Sequence, residues 1–393
     1  MKRMLTDLDL KGKRVLLRVD FNVPLDENGQ ITDDTRIYEA LPTIRYILKQ
    51  GAKLIICSHL GRPNGEFNPK YSLFPVAQQL IKYLINRVYF AVDVVGPDAM
   101  EKAKNLKPGE VLLLENLRFH KEEEANELYF ARKLASMADI YINDAFGTVH
   151  RKHASVYRVA KLLPNAMGFL MGREINAITG VLNNPTHPFV AILGGAKVKD
   201  KIEVIKNLVN KADEILIGGA MAFTFLKAKG YEVGTSLVDE EKIETAKEIM
   251  HLADDQNKKL LLPIDFACTE VYSPSSKAEI YSLENFPADK MGLDIGPKTI
   301  EMFTHEIKNA KTVIWNGPMG VFEFSDFSAG TKKVAKALTK VKGTTIVGGG
   351  DTAAAVNSLG LEDKITHVST GGGASLKLLE GGELPGIEVI NDK

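Results

Sequence analysis

The stretch IVGGGDTAAAV (residues 346–356) leaves a short apolar run through three glycines and enters an alanine-rich, helix-favouring segment. Glycine carries a backbone entropy cost, so three in succession point to close backbone approach or to positive φ angles. The first turn of a helix favours anions, because its N–H groups are free and its dipole is positive there. Asp351 puts a carboxylate in that turn. It either caps the helix or holds a metal that accompanies a bound phosphate, and the rest of the chain has to decide. The unit strand, turn, helix sets the fold class.

The same unit runs from end to end. Apolar runs occur at RVLLRVD (14–20), KLIICSH (53–59), RVYFAVD (87–93), EVLLLEN (110–116) and DIYIND (139–144). They continue at FVAILGG (189–195), EILIGG (214–219), KLLLPID (259–265), TVIWNG (312–317), TIVGGG (345–350) and THVSTGGG (366–373). Several are apolar throughout and do not alternate, as expected of strands covered on both faces. Between them, TRIYEALPTIRYILKQG (35–51) and EANELYFARKLASMA (124–138) repeat apolar residues at three- and four-residue spacing, and Gly51 closes the first. Alternating strands and helices predict an α/β protein with mostly parallel sheets.

Eleven strands are too many for one doubly wound sheet. The stretch PNAMGFLMGREINAITGVLNNPTHP (164–188) reads as helical, with no strand-like run inside it and proline-bearing segments at both ends. It is read as a connecting helix between two doubly wound, Rossmann-like domains, each of a comfortable size. The expected divisions are 1–170, a connecting helix and hinge over 171–186, and 187–379.

The 393 residues are 45% apolar and 25% charged, with 50 Lys plus Arg against 50 Asp plus Glu. A net charge of zero argues against a general binder of nucleic acid or anionic membrane. Cys57 and Cys268 lie far apart without metal-ligand spacing. They read as reduced thiols in a reducing compartment. The N-terminal MKRMLTDLDLKGKRV offers no signal-peptide core, and no run reaches a membrane span. The expectation is a cytoplasmic protein.

In open parallel sheets ligands bind beyond the carboxyl ends of the strands. In the first half those ends carry Asp20-Phe21-Asn22, then Ser58-His59-Leu60-Gly61-Arg62, then Leu117-Arg118, then AFGTVHRKHAS with His150, Arg151 and His153. Arg36 stands at the start of the first long helix. A single strand-end Arg is usually a surface ion-pair partner. Arg36, Arg62, Arg118 and Arg151 with His59 along one sheet edge instead suit a small polyanion, since guanidinium recognises carboxylate and phosphate in a planar, bidentate way.

The second half collects glycine and lysine. FVAIL is followed by GGAKVKDKIEVI, where Lys197 and Lys201 are four apart and share a helix face. Gly218-Gly219, NGPMGVFE with Asn316 and Glu323, Gly348-Gly349-Gly350-Asp351-Thr352 and TGGGAS (370–375) follow the later runs. Glycine-rich exits let backbone N–H groups face phosphates. The Walker A pattern and the protein-kinase motif set are absent. Gly348, Gly350 and Ala353 match the dinucleotide pattern literally, but the next strand end has no acid for a ribose. A carboxylate beside a bare pyrophosphate repels it; with Mg²⁺ between them the interaction becomes attractive.

Together RVDFNVP, DDTRI, SHLGRP, LLLENLRF, INDAFGTVHRKHAS, GGAKVKDK, WNGPMGVFE, GGGDT and STGGGASL resemble the 3-phosphoglycerate kinase family, in order, over almost the whole chain. The resemblance implies reversible phosphoryl transfer from 1,3-bisphosphoglycerate to ADP, giving 3-phosphoglycerate and ATP in glycolysis and gluconeogenesis. It implies that the first domain binds the triose through Asp20, Phe21, Asn22, Arg36, His59, Leu60, Gly61, Arg62, Arg118 and Arg151. The nucleotide falls to the second, through Lys197, Lys201, Asn316, Glu323, Gly349, Gly350, Asp351 and Thr352, with Glu323 on the ribose and Asp351 on Mg²⁺. Arg36, Lys197, Lys201, Gly350 and Gly373 are the residues expected to meet the charge on the transferring group. A cytoplasmic monomer that closes about a hinge is implied, with the tail (380–393) packing back on the first domain. Two rivals stand beside it: a nicotinamide dehydrogenase, and a non-catalytic nucleotide sensor that kept the fold.

Overall fold

The computed structural model describes residues 1–196 and 199–393. Lys197, one of the expected phosphate-binding lysines, lies outside them. The chain divides into two compact units, Met1–Asn176 with Glu383–Lys393, and Ala177–Gly382.

The first unit is built on β1 (Arg14–Arg18), β2 (Lys53–Cys57), β3 (Val88–Phe90), β4 (Val111–Leu113), β5 (Ile140–Asn143) and β6 (Asn165–Met167). They form one parallel sheet in the order β3-β4-β2-β1-β5-β6. Successive side chains of a strand face opposite ways. Val15, Leu17, Leu54, Ile56, Ile140 and Ile142 accordingly enter one core with Ile37 and Ile44 of helix Thr35–Lys49. Leu16, Ile55, Leu112 and Tyr141 enter the other, against Phe130 and Leu134 of helix Leu128–Ser136. Both faces are covered, which is why these strands are written as unbroken apolar runs.

The second unit contains β7 (Phe189–Leu193), β8 (Glu214–Ile217), β9 (Lys259–Leu261), β10 (Asp265–Thr269), β11 (Glu279–Ser282), β12 (Met291–Ile295), β13 (Thr312–Asn316), β14 (Thr344–Gly348) and β15 (His367–Val368). Six form a parallel sheet, β15-β14-β13-β7-β8-β9, and three an antiparallel one, β11-β10-β12. Each parallel sheet has a strand whose two neighbours lead the chain off to opposite sides. β1 has β2 on one side and β5 on the other; β7 has β8 and β13. Crevices open at the carboxyl ends of such pairs.

All eleven apolar runs are strands. The stretch 164–188, expected to hold none, contains β6, which pairs in parallel with β5 (Ile142 beside Ala166). Three residues, Asn-Ala-Met, are too short to show a period. The helix there is Phe169–Asn183, so it starts two residues before the expected 171. Its N-terminus is held by Asp144, which follows β5 and accepts from Met171 N at 3.0 Å. The antiparallel sheet was not anticipated. Among the described residues no helix is long and apolar enough to cross a membrane.

Candidate functional site

The chain beyond β1 and β2 builds a connected polar network in the first unit. Arg36, in the first turn of its helix, pairs with Asp20 (2.5 Å). Asp20 in turn accepts from Asn22 N (3.1 Å), and Asn22 Oδ1 accepts from Gly61 N (2.8 Å). The Gly61 carbonyl accepts from Arg118 Nη1 at 2.8 Å. Gly61 has φ +60°, and a Cβ there would strike the Tyr71 ring, so only glycine lets SHLGRP turn under Arg118.

Charge and burial set the protonation states. Burial opposes ionisation of Asp20, but neighbouring His59, Arg36 and Arg18 outweigh it and hold the carboxyl at about 2. Burial pushes the His59 imidazole well below its usual value; Asp20 pulls the other way, and Arg18, Arg118 and Arg36 reinforce the burial. With His59 neutral, the arginines carry the stabilisation of Asp20. His153, buried beside Arg18, Arg118 and Arg151, is lowered to about 3, burial again being the larger cause.

The expected triose residues differ in what they can offer. Arg62 is exposed and Arg151 half-buried, the latter donating to His150 Nε2 at 3.1 Å. Phe21 and Leu60 are core side chains. Their backbones are already used: Phe21 N donates to Ser58 Oγ (2.8 Å), and Leu60 N and O are both bonded to the Asn116 amide (3.2 and 2.7 Å).

In the second unit a cavity of about 460 Å³ opens at the β7/β13 crevice. Its described lining includes Gly195, Lys201, Asn316, Gly317, Gly349, Gly350, Asp351, Thr352 and Gly373. Lys201 Nζ donates to the carbonyls of Gly194 (2.5 Å) and Asn316 (3.0 Å), tying β7 to β13. Gly317 has φ +101°, and a Cβ on it would run into Gly194 O and Lys201 Nζ. Thr352 Oγ1, 1% exposed, accepts from Gly317 N at 2.7 Å and pins helix Gly350–Ser358 to the β13 exit. That helix has Gly349 (φ +90°) as N-cap and no side-chain cap, so its first amides face the cavity uncovered. Helix Gly373–Leu379 begins at the same cavity behind Gly372.

Asn316 Nδ2 is buried and has no hydrogen-bond partner. Gly348 and Gly349 lie against it with no side chains of their own. A buried, unpaired donor costs free energy, and sites that tolerate one usually expect a ligand. Asp351 is exposed in the first helical turn. Glu323 is also exposed, on the loop beyond β13, and is not part of the cavity wall.

A donor-rich, glycine-walled cavity in one unit and an arginine cluster in the other are what a phosphoryl-transfer enzyme requires. The model of the family described as phosphoglycerate kinase matches residues 5–382. The chain belongs to the phosphoglycerate kinase family. The phosphoglycerate kinase of Dictyoglomus turgidum is 55% identical over 390 residues, 99% of this chain and 98% of that protein. That of Pseudothermotoga lettingae is 53% identical over 393 residues, 100% of this chain and 99% of its own. Among solved structures, phosphoglycerate kinase from Coxiella burnetii superposes with a TM-score of 0.90 at 39% identity, covering 99% of both chains. The Pyrococcus horikoshii OT3 enzyme gives 0.85 at 34% identity, covering 99% of this chain and 98% of its own. The enzyme therefore catalyses the glycolytic phosphoryl transfer between 1,3-bisphosphoglycerate and ADP, and the dehydrogenase and silent-sensor readings fall away.

Two members of the basic network were missed from sequence. Arg18 closes β1 and is 1% exposed; within RVLLRVD it reads as part of the strand. Glu123 sits in the run KEEE, which reads as a solvated face, yet it is fully buried. The position of Glu123, five residues after Arg118, was the only available signal.

Proposed function

We propose that the first unit holds the triose and the second the Mg²⁺–nucleotide, and that closure about a hinge joins them for direct transfer. The carrying observation is the second-unit cavity, where a buried amide donor, two uncapped helix starts and Lys201 converge with one carboxylate. Such a lining suits a polyphosphate. In the first unit Arg36, Arg62, Arg118 and Arg151 neutralise the triose phosphate and carboxylate, while Asp20 and Asn22 meet its hydroxyl. In the second, Lys197, Lys201, Asn316 and the Gly349–Thr352 turn hold the phosphates, and Glu323 takes the ribose.

The chemistry is positioning and charge neutralisation. A carboxylate oxygen of 3-phosphoglycerate attacks the terminal phosphorus of ATP in the reverse direction; it is already ionised, so no base is required. Arg36, Lys197, Lys201 and the amides of Gly350 and Gly373 meet the charge that spreads over the transferring group. Asp351 fits a magnesium ligand: it is an oxygen donor at the cavity, exposed, and without an ion pair or hydrogen bond among the described residues. Those residues contain no cluster of three His, Cys, Asp or Glu that could hold a metal alone, so a metal there leans on the phosphates. Mg²⁺, when bound, neutralises part of the polyphosphate charge.

Hinge closure excludes water that would otherwise take the phosphoryl group. Helix Phe169–Asn183, which passes from one unit into the other after Asn176, and the turn at 370–373 are the proposed hinges. A monomer in a cytoplasmic setting belongs to the same proposal. The test is ATP formation from ADP and 1,3-bisphosphoglycerate made in situ, with and without EDTA. It is joined to titrations of 3-phosphoglycerate and MgADP on Arg151→Ala and Asn316→Leu. Each variant should weaken one ligand only; loss of both in either variant would refute the division of labour.

A further inference from the structure

Beneath the triose network lies a second, buried one that the assigned roles do not use. Glu123, fully buried, accepts from Ser155 Oγ at 2.5 Å and from Ser155 N at 2.9 Å. The same Ser155 Oγ accepts from Arg18 Nε at 2.9 Å. Arg18, also buried, donates to the Val19 carbonyl and lies with Nη2 3.3 Å from His59 Nδ1. An arginine has five N–H donors and no acceptor. His59 Nδ1 must therefore accept, and it carries no proton; a protonated Nδ1 would face a guanidinium N–H.

We propose that Glu123 and Ser155 are positioning residues of the triose site, fixing through Arg18 the tautomer of His59 that carries its proton on Nε2. His59 can then only donate through Nε2, which suits an anionic oxygen of the triose. The inference rests on His59 belonging to the triose site. Burial raises the Glu123 carboxyl, and Arg18, the two Ser155 hydrogen bonds and Arg118 oppose that rise and favour the carboxylate. In return, the carboxylate anchors through Ser155 an arginine whose Nη2 faces the imidazole. The low exposure of His59 keeps water from competing for Nδ1. Burial and the surrounding arginines also favour the uncharged ring.

The test is long-range ¹H–¹⁵N correlation on the uniformly ¹⁵N-labelled full-length enzyme, with the His59 signals assigned by their loss in His59→Gln. The expected signature in the unsubstituted enzyme is an unprotonated Nδ1 and a protonated Nε2. A protonated Nδ1 overturns the proposal without any variant. Glu123→Gln should turn the signature into a tautomer mixture. It should also raise the 3-phosphoglycerate KM about tenfold, with the MgATP KM within about twofold. Ser155→Ala cuts the other link and should do the same, so a Glu123→Gln protein that fails to fold leaves the test intact. A mixture without a change in 3-phosphoglycerate KM, or a KM change with the signature preserved, would also overturn it. If His59→Gln itself leaves that KM unaltered, His59 is outside the triose site, whatever its tautomer, and the proposal falls.

Discussion

Replacing Asn316 by leucine should separate ligand binding from folding. The two side chains have nearly the same shape, and Asn316 is 3% exposed at the end of β13. In most proteins removing a buried amide breaks a hydrogen bond and costs stability. Here Nδ2 makes none, so the free enzyme already bears the cost of an unsatisfied donor, about 1–3 kcal/mol. Leucine removes that cost, and the second unit should hold its urea midpoint or gain slightly. Bound nucleotide changes the balance, because a phosphate oxygen would satisfy the donor. A hydrogen bond to a charged group contributes about 1.5–3 kcal/mol, so MgADP affinity should fall about 10- to 150-fold. Urea unfolding and calorimetric titration of MgADP on the same preparations give both numbers. A midpoint that drops by the equivalent of about 2 kcal/mol, with affinity unchanged, would show that the amide serves the fold and refute the reasoning.

Other outcomes follow from the same sites. Arg36→Ala should reduce turnover by about 10³-fold or more while weakening triose binding less, because its charge is needed most in the transition state; steady-state turnover within a few-fold of the parent would make Arg36 a surface base. Asp351→Asn should raise the Mg²⁺ requirement and impair MgADP use, with 3-phosphoglycerate titrating nearly as before; equal damage to both ligands would mean a disrupted turn. Asp144, buried at the start of helix Phe169–Asn183 with Oδ2 unpartnered, has its carboxyl raised by burial from 3.8 to about 6. The fold favours its protonated form, so its stabilising contribution is complete below about pH 4 and is lost as pH rises through about 6, roughly 3 kcal/mol in all. Asp144→Asn should flatten that part of the pH dependence of urea unfolding of the first unit, and an unchanged slope would count against the assignment.

The fold was most legible where burial of both faces produced an unbroken apolar run. RVLLR, KLIIC, FVAIL and TVIWN are unbroken apolar runs because helices cover each side of the two parallel sheets. Burial alone was not enough: β6 and β10 are buried along their length, yet Asn-Ala-Met and the polar-ended DFACT do not read as apolar runs. β6 is three residues long, and β11 exposes Glu279 and Ile280, so neither carries a continuous run. At the site, glycines and arginines at strand ends could be grouped because a parallel sheet gathers those ends on one edge. Arg18 and Glu123 could not, since an arginine inside a strand and a glutamate inside KEEE are written like surface charges. Only the long-range contact through Ser155 makes them a buried pair.

The protonation states of the basic network bear on why this chemistry needs no acid–base residue. Asp20, held at about 2, stays ionised near neutral pH, and His153, at about 3, stays neutral. His59 is pushed down by the same burial and the same arginines. None of the three can exchange a proton with a ligand in the neutral range, so each presents one fixed face. A general base would need a value near the working pH. The network does the opposite and holds permanent donors around a permanent anion, aligned before the ligand arrives. Preorganised charge of that kind costs no reorganisation during transfer. It suits an acceptor that is itself an ionised carboxylate, and it leaves the phosphates as the groups whose titration should shape the pH–rate profile.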